Sequence, residues 1–180
     1  MKNYISILFI LFFVSSSLLA QDDTYATDNY VAPQGLNNWY VEFGGAGLFY
    51  SINYEKYLFL NNNENITWLG RVGLGFNPIE GKLLNKIYLE QGTLMFPFAT
   101  SFLFGSNKEK LELGFGYTLL SKSNAPNEII PTGIIGFRVM ERNGVCFRIS
   151  YTPHIREGVY VNWFGLSLGK NFNFKKGRRR

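Results

Sequence analysis

His154 is the only histidine in the chain and the first residue to test for chemistry. An imidazole acts as general base toward a hydroxyl when a third group orients it. Ser150 lies four residues before His154 and Glu157 three after it, so one short segment holds the residue types for hydrolysis. Reach between base and nucleophile is not supplied by that spacing, and His154 is expected to be a structural or loop residue. Cys146 is alone, which excludes an intramolecular disulfide and a cysteine metal cluster. No catalytic residue, cofactor site or metal-ligand set is expected, and no cofactor. Charge offers a different kind of chemistry. Glu42, Glu55 and Glu112, with Arg71, Arg138 and Arg148, stand inside stretches that otherwise alternate apolar with small or polar residues. Three carboxylates and three guanidinium groups balance, and the planar fork of arginine matches a carboxylate.

The elements that carry these charges read as strands. Thr93 to Phe104 places Leu94, Phe96, Phe98, Phe102 and Phe104 on one face, with Thr93, Pro97, Ala99 and Ser101 on the other. Lys110 to Leu120 sets Leu111, Leu113, Phe115, Tyr117 and Leu119 against Glu112, Gly114, Gly116 and Thr118. Val145 to Thr152 repeats the pattern. Such alternation marks strands with one apolar face. Eight segments follow it, near 39–46, 47–59, 66–76, 92–104, 110–121, 129–140, 144–153 and 161–174. Most suit the roughly 9–11 residues that a tilted strand needs to cross a bilayer. The expected fold is all-β, an eight-stranded antiparallel up-and-down transmembrane β-barrel.

Alternation alone is compatible with a soluble β-sandwich. Gly73, Gly75, Gly114, Gly116, Gly136, Gly165 and Gly169 share the polar face with the six charges. That distribution suits a narrow interior filled by side chains. The six charges are therefore expected to form a paired lumen network, since buried ions persist only when paired and hydrogen-bonded. Aromatics near strand ends, including Trp39, Tyr50, Tyr57, Trp68, Tyr151, Tyr160 and Trp163, are expected to form interfacial girdles.

Residues 1–20, with Lys2, an apolar run from Ile5 to Val14 and Ala20 before Gln21, read as a secretory signal. Without Lys2 the chain keeps seventeen basic and thirteen acidic residues, a net charge of +4. Residues 21–38 read as a polar periplasmic lead-in, 39–174 as the barrel and 175–180 as a basic C-terminal tail. The Asn65-Ile66-Thr67 sequon is incidental in a periplasmic turn. Starting at the periplasm, the connections near 61–65, 106–109 and 141–144 are short and the opposite ones mostly longer, as such barrels require.

The last strand reads Ser167-Leu168-Gly169-Lys170-Asn171-Phe172-Asn173-Phe174. It resembles the C-terminal β-signal by which outer-membrane barrels are recognised by their assembly machinery, with Ser167, Gly169, Phe172 and Phe174 in the motif positions. Lys170 departs from it by falling on the lipid-facing parity, and the basic tail follows where many such chains stop. Together with the glycine-rich opening from Trp39 to Phe59, residues 39–174 resemble the small outer-membrane protein β-barrel domain families. That resemblance implies a fold and a membrane without implying one activity. The expected location is the outer membrane of a Gram-negative bacterium, after export to the periplasm. Expected partners are outer-membrane lipids and lipopolysaccharide, the barrel assembly machinery during insertion, and an outer-membrane protein not identifiable from sequence; export argues against nucleic acid. The expected role is non-enzymatic, structural or accessory, with a filled lumen. The alternatives are an outer-leaflet enzyme resembling the lipid A deacylases, whose tight His–x–Ser spacing is absent here, and a narrow porin-like pore for small solutes.

Overall fold

The computed structural model describes residues 36–60, 66–78, 80–83, 87–89, 91–105, 108–121, 127–141, 143–156 and 158–172. The signal, most of the lead-in, Asn65, Glu157, Phe174 and the basic tail lie outside them.

Successive Cβ atoms of an extended chain point to opposite sides, so the alternating segments become strands with two distinct faces. In chain order these are β1 (Asn37–Gly44), β2 (Tyr50–Leu60), β3 (Ile66–Phe76), the hairpin β4 (Gly81–Leu83) and β5 (Ile87–Leu89), β6 (Leu94–Phe104), β7 (Glu109–Ser121), β8 (Glu128–Met140), β9 (Val145–Tyr151), the hairpin β10 (His154–Arg156) and β11 (Val159–Val161), and β12 (Phe164–Phe172). Eight of them form the wall. Each pairs antiparallel with the next in the circuit β1, β2, β3, β6, β7, β8, β9, β12, and β12 pairs back to β1 from Asn37 opposite Phe172 to Gly44 opposite Gly165. Closure leaves the barrel wall without a free edge. β4 and β5 pair only with each other, whereas β10 joins β8 through His154 opposite Thr132.

Polarity is inverted relative to a water-soluble protein. Phe43, Ile52, Phe115, Ile129 and Leu168 are each at least 60% exposed on the outside, while Glu42, Glu55, Glu112, Ser101 and Thr118 are fully buried within. A continuous apolar exterior of this size is stable against lipid and not against water. The molecule is an eight-stranded antiparallel transmembrane-type barrel.

Three boundaries differ from the sequence reading. β1 begins at Asn37, so the last two residues assigned to the lead-in belong to the wall. The first outward connection is expected at Gly44–Gly47 and does turn there, but it is longer than read: β1 stops at Gly44 and β2 starts only at Tyr50. Gly45–Gly47 make one 3-10 turn, with positive φ at Gly44 (72°), the last residue of β1, and at Gly45 (62°) and Leu48 (65°), which ends the extended run. Near the C-terminus, β9 stops at Tyr151, and residues 161–163 fall in β11 and an irregular link before β12.

Candidate functional site: a closed lumen with a buried ion layer

Seven wall strands send polar side chains to one level of the interior. Arg71 on β3 donates to Glu55 on β2, from Nε at 3.0 Å and Nη2 at 2.7 Å, and its Nη2 also reaches Glu112 on β7 at 2.6 Å. Arg138 on β8 grips both oxygens of Glu55 and donates to Glu112 Oε2 at 2.9 Å. Arg148 on β9 reaches Glu112 through Nη1 at 3.2 and 3.3 Å, and Glu42 on β1 through Nη2. Ser167 on β12 accepts from Arg148 at 3.1 and 3.2 Å and donates to Glu42 at 3.3 Å. Glu112 thus touches all three arginines. Asn38 adds an amide donor to Glu55 at 3.0 Å. Tyr40 presents its ring to Arg71 and Arg148, at 5.4 and 4.9 Å from the guanidinium carbons. The ring face carries negative charge that a cation favours. All six charges are buried, and in so dry a site they hold only as a group.

Apolar layers lie on both sides. Toward the β1–β2 turn, Leu48, Met95, Leu120, Ile130 and Val161 form a buried cluster, with Phe49 and Trp163 against it. Leu48 belongs to the turn itself, which folds into the barrel mouth and touches β3, β6, β7 and β12 as well as its own strands. Its carbonyls would be orphaned there, and lumen side chains receive them. Thr118 donates to Ala46 O at 2.5 Å, Trp163 Nε1 to Leu48 O at 2.8 Å, and His154 Nε2 lies 3.1 Å from Gly45 O. Toward the other rim, Tyr57, Leu69, Leu103, Met140 and Cys146 form a second cluster. The Tyr57 hydroxyl meets Met140 Sδ at 3.5 Å and accepts from Asn171 at 3.3 Å.

Glycine makes this packing fit. A Cβ on Gly165 would stand 2.7 Å from Gly45 Cα, so the inserted turn needs a bare backbone opposite it. A Cβ on Gly45 would stand 2.2 Å from the Glu42 carboxyl carbon, which couples the turn to the ion layer.

Comparisons with known proteins add a structural likeness. No protein-family model matches the chain, and no curated protein sequence matches it. Among solved structures, the chain is similar to the outer membrane protein Ail of Yersinia pestis, whose backbone structure was determined in a phospholipid bilayer nanodisc. The two are 12% identical, the match covers 77% of this chain and 100% of that one, and the TM-score is 0.49.

The structure brings Glu42, Glu55, Glu112, Arg71, Arg138 and Arg148 into one cluster. Of the motif in the last strand, Ser167 and Gly169 face inward, Phe172 faces outward, and Phe174 lies outside the described residues. His154 is fully buried against the turn, and its Nε2 meets the backbone carbonyl of Gly45 rather than Ser150. Two girdle assignments are corrected. Tyr57 shares the parity of Glu55 and points into the lumen, and Trp163 turns inward to cap Leu48. Sequence reasoning missed Asn38, Tyr40 and Lys110, all buried. Lys110 donates to Gly105 O at 2.8 Å. Their parity with Glu42 and Glu112 was the available signal.

Proposed function

We propose that the chain is a non-conducting integral barrel of the Gram-negative outer membrane, with a structural or interaction role carried by its surfaces rather than its lumen. The observation that supports this reading is the filling of the interior by an inserted turn, an ion layer and a second apolar cluster. A pore needs a continuous wet path, and an enzyme needs a space in which substrate meets its catalytic groups. Buried His154, occupied by Gly45 O, supports a structural part for that residue. On this reading the signal peptide directs export, both chain ends face the periplasm, and the last strand is read by the assembly machinery. The outer connections are then free to meet lipopolysaccharide or a protein partner.

Planar-bilayer recording tests the proposal: the inserted chain is expected to give no stable openings, and porin-sized openings would overturn it. Lipid A mass spectrometry tests the enzymatic alternative. An acylation change that depends on the gene and is abolished by His154→Ala would replace this reading. A pull-down from native outer membranes then looks for the partner.

A further inference from the structure

The lipid-facing wall carries a groove of about 500 Å³. Tyr54, Val72, Phe98, Phe115 and Tyr117 form its sides, with the Phe98 and Tyr117 rings stacked at 5.3 Å. Gly70 leaves the floor open, since a Cβ there would meet only Leu58, at 3.4 Å. Lys56 stands directly opposite Gly70 in the β2–β3 ladder and closes one end.

That end is cationic. Lys56 pairs with Asn37, the first residue of β1, and Asn37 pairs with Phe172, the last of β12. Lys170 lies opposite Trp39, whose other neighbour is Tyr54. Both lysines are exposed on the outer face. Each is flanked along its own strand by apolar or aromatic neighbours, Tyr54 and Leu58 for one, Leu168 and Phe172 for the other. They therefore lie within the apolar belt rather than beyond it. Among the described residues neither ammonium has a carboxylate or hydrogen-bond partner. At the opposite rim Arg156 is held by Glu128, with Nη2 2.7 Å from Oε2. A lysine facing hydrocarbon is costly unless it snorkels to a headgroup.

We infer that this groove binds an anionic glycerophospholipid from the leaflet at the rim where β1 begins and β12 ends. Its phosphate lies between Lys56 and Lys170, and an acyl chain lies over Gly70 between the aromatic walls. The inference rests on the membrane-barrel reading above. A lipid without net charge would leave the two ammonium groups uncompensated, whereas an anionic one matches both charge and groove.

Native mass spectrometry of the full chain, released from vesicles with equal phosphatidylglycerol and phosphatidylcholine, tests it. Each lysine is expected to favour the anionic lipid roughly fivefold, about 1 kcal/mol, so the double variant Lys56→Gln with Lys170→Gln should lose roughly 25-fold. Gly70→Leu should reduce retention of both lipids while leaving the lysines in place. Free glycerol phosphate should not displace the bound lipid. Equal retention of the two lipids by the unaltered chain would overturn the inference, as would unchanged selectivity in a double variant that keeps its heat-modifiable gel shift. Unchanged retention in Gly70→Leu, or displacement by glycerol phosphate, would remove the groove from it. A chain that does not enter vesicles at all would instead refute the membrane reading.

Discussion

Arg138 on β8 holds Glu55, on the far side of the lumen, through two parallel hydrogen bonds, Nη1 to Oε2 at 2.7 Å and Nη2 to Oε1 at 2.9 Å. The same carboxylate also receives Arg71. Glu55→Gln leaves two arginines sharing fewer anions in a dry interior. Removing one partner of such a buried pair costs about 3–5 kcal/mol. The expected result is a lower urea midpoint for unfolding from lipid vesicles with little change in slope. A midpoint within experimental scatter of the unaltered chain would show that the ion layer is not needed for stability.

Balance of charge, rather than any one pair, is the second expectation. Replacing Glu55 by Leu together with Arg138 by Met leaves two carboxylates, Glu42 and Glu112, against Arg71 and Arg148. Exchange of buried ion pairs for packed apolar groups is often close to neutral. The double variant should therefore unfold at a higher urea concentration than Glu55→Leu alone. Strictly additive losses in a double-mutant cycle would contradict this.

Much of the wall was legible because the pleat imposes period two on any strand with unlike faces. The parity of Glu42, Glu55, Arg71, Glu112, Arg138 and Arg148 followed from that pattern alone. Which charge meets which did not. In the β8–β9 ladder Arg138 stands directly opposite Arg148, a like-charge pairing that would read as repulsion along the sheet. Carboxylates arriving from β1, β2 and β7 resolve it, and their arrival depends on closure of the whole sheet. The inserted turn was hidden for a similar reason. Gly44-Gly45-Ala46-Gly47 reads as a tight hairpin turn, and its inward fold depends on donors from Thr118, Trp163 and His154, residues distant in sequence.

That turn yields a third prediction. Gly45 has φ of 62°, and an added Cβ would press on the Glu42 carboxylate at 2.2 Å. Gly45→Ala thus imposes both backbone strain of roughly 1–2 kcal/mol and a displacement of the ion layer. Trp163→Phe removes the donor to Leu48 O, whose unsatisfied buried carbonyl costs about 1–3 kcal/mol, together with part of the ring that packs on the Leu48 cluster. Both variants should unfold at lower urea, Gly45→Ala the more so. Both should stay silent in planar bilayers, because the ion layer and the Tyr57 cluster still block the lumen. Openings in Trp163→Phe would mean that the turn alone seals the barrel.

The outer face gives the prediction that separates lipid from water as the surrounding solvent. Phe115, at the centre of β7, is 67% exposed, and Ile66, the first residue of β3, is 40% exposed. On a water-soluble protein, arginine at either site would be tolerated, since a charged side chain there replaces exposed apolar surface. In a bilayer the cost depends on depth, about 2–4 kcal/mol near the midplane and about 0–1 near an interface. Phe115→Arg should therefore sharply lower the folded fraction in vesicles, and Ile66→Arg should lower it little. The measurement is the heat-modifiable band after refolding, read across a urea series. Equal behaviour of the two variants would contradict a bilayer-spanning wall with Phe115 at its middle.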